Sequence, residues 1–377
     1  MTTPDIPLLD IVLWREGTPG QRAEIATRMD EALRQSGFLL ISNHGISASL
    51  RETIRAQARS FFALPAERKQ AYATPVAGRG WIPPGGEANA FYGEAADPER
   101  ADLKESLTIG REFTSGDAET DAKWFTPNVW PVECPGLRDR CEAFTGQVRE
   151  LYYDLLRMCA TALDLEDEDF FVNHVQGGPQ TFNINRYPPL SVTGAPKAGQ
   201  YRVAPHTDWG ILTILDRQPG YGGLQVQNLD GTWADAPYVA DAFTVNVADL
   251  LSRWSGGRWR STRHRVLPPP AQAPDEELIS LIVFLEAEVD TVIKPVAGDL
   301  EIEPVVAGDW LREREAAATV LPGGYAPGHG VAVCRVAART SRDGPYSLWW
   351  LYAWRARARQ GADFTHRIGE VRCCDPR

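Results

Sequence analysis

The sequence predicts an α+β protein: a jelly-roll β core with flanking N-terminal helices and an additional C-terminal helical tail. Three observations predict it. Short β-like runs recur between Thr181 and Ala287, namely TFNINRY, GILTIL, GLQVQN, AFTVNV, STRHRV and LISLIVFLEA, each bounded by turn signals. Upstream of them, apolar residues fall at helical spacing in three long segments. Downstream, GPYSLWWLYAWRARARQG reads as a helix from Pro345 to Gly361, aromatic in its first half and arginine-rich in its second.

The elements follow in order. IPLLDI reads as a short first strand. In GQRAEIATRMDEALRQSG, Ile25, Met29 and Leu33 share one helical face, and Gly37 supplies the stop. FLLISNHGI is a buried strand closing in a turn at Asn43–Gly45. A second helix follows, with Ser47 as its cap and a break near Pro65. Residues 75–135 are rich in glycine, proline and aromatics, with the strand-like LKESLTIG inside. A long helix from about Leu137 to Leu163 carries Phe144, Val148, Leu151, Leu155 and Met158 on one stripe. The chain therefore divides into residues 1–135, residues 136–314 with the long helix and β core, and an extension over 315–377 whose role the sequence does not disclose.

The 377 residues carry a formal net charge of −11 and are 43% hydrophobic, enough for a substantial core and against nucleic acid as a general partner. The six cysteines, Cys134, Cys141, Cys159, Cys334, Cys373 and Cys374, show neither a C-x-x-C pair nor a zinc spacing. No segment approaches the apolar length of a membrane span, and the start lacks a basic region followed by an apolar run. The expectation is a soluble protein of a reducing, cytoplasmic setting.

The stretch APHTDWGILTIL places His206 and Asp208 two positions apart at the head of a hydrophobic run. On a strand such residues project from the same face, about 7 Å apart. Polar groups there are costly to bury, and a metal ion would compensate them. His264, in RWRSTRHRV, is the best third ligand. Two histidines and one carboxylate leave adjacent coordination positions open, the arrangement used by non-haem Fe(II) oxygenases, whereas zinc hydrolases keep a single open position. An H-x-D pair alone is a weak signal. His44, His174, His329 and His366 read as structural or surface histidines.

The segments APHTDWGILTIL, GGLQVQNLDGTW, FTVNVADLLSRWSGGRWRSTRHRV and NINRYPP, with GFLLISNHGI, FFALPAERKQAY and DLKESLTIG upstream, resemble in order the isopenicillin N synthase-like Fe(II)/2-oxoglutarate dioxygenases. The resemblance runs from about Ile6 to Arg314. It implies a double-stranded β-helix, with 1–135 as the N-terminal dioxygenase region and 136–314 holding the oxygenase core. It implies His206, Asp208 and His264 as iron ligands and catalytic centre, O2 as co-substrate, and Asn185, Tyr187 and Ser280 as contacts of 2-oxoglutarate. It implies oxidation of a small molecule, by hydroxylation, desaturation or cyclisation, plausibly in antibiotic or other specialised metabolism. Retention of Asp208 favours these outcomes over halogenation, which in the family goes with a small residue at that position.

One position departs from the pattern. The family pairs the distal carboxylate of 2-oxoglutarate with an arginine two residues before the serine, and here that residue is Leu278. Either another cation, among Arg186, Arg202, Arg217, Arg263 and Arg265, reaches the site, or 2-oxoglutarate is not bound in the usual way. Two alternatives therefore stay open: an Fe(II) oxidase of the same fold that uses no 2-oxoglutarate, and a non-catalytic binding protein on an eroded oxygenase fold. Arg79, Trp81, Phe91, Tyr92, Trp209 and Phe284 are candidate substrate contacts, with core packing an equal reading for each aromatic. YSLWWLYAW in the tail needs burial against something, and a lid, a body-packing helix and a homo-oligomer contact are the options.

Overall fold

The computed structural model describes residues 6–74, 78–88, 97–298 and 302–318. Helix α1 (Pro19–Gln35) starts in a capping box. Thr18 accepts from the Gln21 backbone N–H, the Gln21 side chain accepts from the Thr18 N–H at 2.9 Å, and Pro19 sits where no helical N–H is needed. It buries Ile25, Met29 and Leu33, the stripe expected from the sequence. Gly37 ends it at φ 72°, where an added Cβ would lie 2.2 Å from the Arg260 carbonyl oxygen. Helix α2 (Ala48–Phe62) follows Ser47, but the expected cap is not made. The Ser47 hydroxyl bonds that of Ser49 at 3.0 Å instead.

Helix α3 (Leu137–Ala162) buries Phe144, Val148, Leu151, Leu155 and Met158. They join one apolar core with Leu9, Met29 and Phe61 from the N-terminal region and with Ile214, Val245 and Leu281 from the β region. Residues on both sides of position 135 thus share that core. The helix is tied to the sheet by Tyr152, whose hydroxyl donates to the Leu285 carbonyl at 2.7 Å and accepts from the Leu212 N–H at 3.1 Å.

The strands are β1 (Leu8–Asp10), β2 (Phe38–Ser42), β3 (Gly80–Ile82), β4 (Glu105–Gly110), β5 (Gln180–Tyr187), β6 (Val203–His206), β7 (Leu212–Asp216), β8 (Leu224–Gln227), β9 (Trp233–Asp235), β10 (Phe243–Val247), β11 (His264–Val266) and β12 (Leu278–Leu285). They form an eight-stranded sheet ordered β1-β2-β10-β7-β12-β5-β4-β3 and a four-stranded sheet ordered β6-β11-β8-β9. All six β runs read from the sequence are strands. A short helix α4 (Asp249–Trp254) follows β10, and helix α5 (Ala307–Ala318) closes the described part. Among the described residues, no helix is long and apolar enough to cross a membrane. The expected tail helix, Cys334, Cys373 and Cys374, and the candidate contacts Phe91 and Tyr92 lie outside the described residues.

Period-two alternation gives the large sheet two different faces. Leu107, Ile184, Leu281, Val283 and Ile214 face the helices and are fully buried. The registers set the other face out in rungs: Ser106–Asn185–Ser280, Thr108–Asn183–Ile282–Leu215, and Gly110–Thr181–Phe284–Thr213–Asn246. This polar ladder is the face that positions the site.

His44 lies in the turn after β2, stacked on Phe243 with ring centroids 3.8 Å apart. Its Nδ1 accepts from the Ile46 N–H at 3.1 Å and its Nε2 donates to the Asp241 carbonyl at 2.9 Å. Burial, with the guanidinium of Arg51, lowers its pKa to about 4. The folded protein thus resists a proton that the unfolded chain takes up below the ordinary value of 6.5, so stability is lost as pH falls from 6.5 towards 4. Urea unfolding of wild type and His44→Gln should show the wild-type advantage shrinking by about 1.4 kcal/mol per pH unit across that window. A difference flat in pH would contradict this.

Candidate metal centre

His206 ends β6 and pairs directly with His264 at the start of β11. The sequence placed His206 and Asp208 together at the head of one hydrophobic strand, and this is corrected. The strand ends at His206, and β7 begins only at Leu212. Asp208 lies in the connecting loop because the loop carbonyls cap α4. The Asp208 and Gly210 oxygens accept from the N–H groups of Asp249 (2.9 Å) and Leu250 (2.8 Å). The loop brings Asp208 Oδ1 to 3.4 Å from His206 Nε2 and 3.6 Å from His264 Nε2. One donor atom from each residue falls within 4.8 Å of the others.

The remaining polar atoms of the trio are already engaged. His206 Nδ1 donates to the Ala204 carbonyl at 2.8 Å and His264 Nδ1 to the Thr262 carbonyl at 3.1 Å. A carbonyl only accepts, so Nδ1 carries a proton in both rings, and in the neutral form of each ring Nε2 presents a lone pair. Asp208 Oδ2 accepts from Thr213 Oγ1 and, at 2.7 Å, from Asn246 Nδ2, leaving Oδ1 as its donor. Burial opposes ionisation of Asp208, but His264, His206 and Asn246 outweigh it and hold the pKa well below the usual range. Burial, with His206 alongside, lowers His264 to about 4, so its ring is neutral. Burial also opposes the charged form of His206, but Asp208 Oδ1 beside its Nε2 favours a proton there and the net shift is upward, so a metal at this site would take the place of that proton. An ionised carboxylate and lone-pair imidazoles fit a divalent metal of the facial-triad kind.

The other candidates divide. Asn185 and Ser280 share a rung, and the buried Tyr187 hydroxyl is within hydrogen-bonding reach of both. Phe284 shares the rung of Thr213 and Asn246, so it lies on the inner face. Trp209 directly follows Asp208, and its carbonyl accepts from the Trp310 indole at 3.1 Å. Trp81 goes elsewhere. It pairs with Leu107, on the helix-facing side of the sheet, and its indole donates to Glu105 at 2.9 Å. Arg79 donates to the carbonyls of Gly78, Trp124 and Thr126 at 2.8–3.1 Å, lying against Gly110, which braces main chain.

Sequence reading missed several residues. Thr213 and Asn246 hold Asp208 from two strands that are neighbours only in the folded sheet. Lys104 is buried beside Ser106, to whose hydroxyl it donates at 3.1 Å, and is neutralised by Glu87. Glu286 lies against Gly210, where a Cβ would come within 1.7 Å of its Oε2. Burial raises its pKa to about 8, so it is mostly protonated at neutral pH. The spacing of Thr213 behind the H-x-D pair could have signalled the first of these. Nothing local marks the rest.

Anaerobic Fe(II) titration should show His264→Ala losing binding at concentrations that saturate wild type. Asn246→Ala, which strips a donor from Oδ2 but no ligand, should weaken Fe(II) by about 10- to 100-fold. Unchanged affinity in both variants would contradict the assignment of donors.

Residues 6–133 match the family described as non-haem dioxygenase in morphine synthesis N-terminal, and 178–287 match the 2OG-Fe(II) oxygenase superfamily. Validamycin A dioxygenase of Streptomyces hygroscopicus subsp. limoneus is 36% identical over 323 residues, covering 85% of this chain and 86% of its own. A proline hydroxylase of Petromyces alliaceus is 33% identical, over 70% of this chain and 81% of its own. A full-length Neurospora crassa protein solved with alpha-KG and thymine superposes with TM-score 0.70 at 29% identity, covering 83% of this chain and 96% of that one. With the His206–Asp208–His264 cluster in place and these relatives along most of its length, the chain belongs to the isopenicillin N synthase-like family of Fe(II)- and 2-oxoglutarate-dependent dioxygenases, enzymes that oxidise small molecules.

Proposed function

We propose that His206, Asp208 and His264 hold the ferrous ion and that 2-oxoglutarate lies against the Tyr187, Asn185 and Ser280 end of the ladder. The substrate is then a polar small molecule of specialised metabolism. The observation that carries the metal assignment is the division of labour within the trio: three atoms converge, and the other polar atoms are bonded elsewhere. When bound, iron supplies activation of O2 coupled to decarboxylation of 2-oxoglutarate to succinate and CO2. For a hydroxylation the balance is one C–H bond and one O2 consumed, with one oxygen atom going to the product and the other to succinate.

The protein's part is placement. The Ala204 and Thr262 carbonyls fix the orientation of the two imidazoles, and Thr213 and Asn246 fix that of the carboxylate. Ile282 and Phe284 put apolar surface on the same face, which limits water near the reacting centre. A polar substrate is supported by Thr108 Oγ1, Asn183 Oδ1 and Glu286 Oε2. All three are buried side-chain atoms without a hydrogen-bond partner among the described residues, and their residues sit on the inner ladder or against the loop of Asp208. A ligand carrying hydroxyl or amine groups would satisfy them. The name of the 36% identical relative makes validamycin A the first compound to try.

Succinate and oxidised product should form in a 1:1 ratio with validamycin A or another hydroxyl-rich compound in the assay. Product without succinate would remove the 2-oxoglutarate step, and turnover confined to apolar compounds would remove the substrate class. Glu286→Leu should raise KM for the polar substrate by roughly tenfold or more, with Fe(II) affinity unchanged.

A further inference from the structure

Leu278 cannot bind a carboxylate. It packs with Tyr187 and Val203 in a small apolar cluster between the sheets. The cations around that end of the ladder are mostly spoken for. Arg186 pairs with Glu105 and Glu277, and Glu105 shares its face with the helix-facing residues of β4. Arg202 lies 5.7 Å from the Tyr187 ring centre but pairs with Glu276 at 2.8 Å. Lys104 pairs with Glu87. Arg265 donates to Gln225 and lies 4.1 Å over the Trp233 ring, on the small sheet.

Arg217 differs from all of these. Strand β7 pairs with β12 through Leu281↔Asp216, and the same register one residue further sets Arg217 opposite Ser280. The Asp216 side chain points to the helices, where Arg51 Nη1 (2.9 Å) and Arg55 Nη2 (2.7 Å) hold it. Alternation then turns Arg217 to the inner face, beside Ser280 and near Tyr187. Its Nη1 donates to the Pro237 carbonyl at 2.8 Å, with Ala236 at 3.5 Å. Among the described residues no carboxylate neutralises it, and its Nε and Nη2 have no hydrogen-bond partner. A half-buried guanidinium with a free edge is a ready partner for an anion.

We propose that Arg217, reaching from the end of β7 to the side of Ser280, is the cation that binds the distal carboxylate of 2-oxoglutarate in place of the residue at Leu278. This rests on the 2-oxoglutarate reading above. The pairing replaces an arginine on the serine's own strand by one on the neighbouring strand. Charge and serine hydroxyl therefore meet the carboxylate together, although the sequence separates them.

The test uses Fe(II)-loaded protein under anaerobic conditions and the visible charge-transfer band of the iron–2-oxo acid chelate. Two acids are titrated: 2-oxoglutarate, and 2-oxopentanoate, which has the same chain length and no distal carboxylate. Arg217→Met should weaken 2-oxoglutarate by about 10- to 150-fold and leave 2-oxopentanoate within about twofold. Arg217→Lys, which keeps a buried cation and so guards against a folding defect, should show a smaller loss confined to 2-oxoglutarate. Wild-type-like binding of 2-oxoglutarate by both variants, or equal weakening of both acids, overturns the assignment of Arg217 alone. A wild type that binds the two acids equally overturns the inference together with the 2-oxoglutarate reading beneath it.

Discussion

A carboxylate buried between two β-sheets must be neutralised, and the surroundings of Asp208 are arranged by that requirement. Leaving a buried charge without partners costs several kcal/mol. The two oxygens of Asp208 meet it separately. Oδ2 takes hydrogen bonds from Thr213 and Asn246, and Oδ1 faces two imidazoles. The bonds to β7 and β10 tie the loop to the large sheet, while His206 and His264 belong to the small one. The trio of His206, Asp208 and His264 is thus also a junction between the sheets. Helix α4 strengthens it from the side. Its first residue, Asp249, takes a hydrogen bond from Ser261 at 2.6 Å, three positions before His264. Helix α1 does the same from further out, since Asp30 binds both Arg258 and the Trp259 indole.

The large sheet separates stability from chemistry by strand alternation. Its helix-facing side is apolar and closes over α3. The inner side carries Ser, Thr and Asn at positions where a sandwich core would ordinarily be aliphatic. Each buried polar atom left unpaired costs about 1–3 kcal/mol. Among the described residues, apolar packing between the sheets falls in two small clusters, one around Val226 and one around Tyr187. The extensive core on the helix side offsets what the inner face gives up, and the inner face remains free to receive ligands.

The same alternation explains Leu278. A motif read along one strand asks for an arginine two residues before Ser280. A carboxylate in the sandwich meets a surface instead, and on a surface the residue across the ladder is as near as the residue two positions along. In the proposed arrangement Arg217 meets the electrostatic need from the end of β7, while Leu278 packs on Tyr187 and Val203.

The elements and the candidate metal ligands are legible along the chain. Period-two runs, helical stripes and stops at Gly37 and Pro65 are local properties, written into neighbouring residues, and the H-x-D pair and later histidine carry their ligand types with them. Ser47 failed as a cap because a neighbouring hydroxyl took its bond, and Trp81 left the site because register put it on the helix side. Which distant residues come to lie beside the candidate ligands depends on how the strands pair in the fold. Thr213 meets Asn246, Glu286 meets Gly210 and Arg217 follows the residue paired with Leu281, through strand pairing and loop closure that bring together positions no spacing along the chain relates.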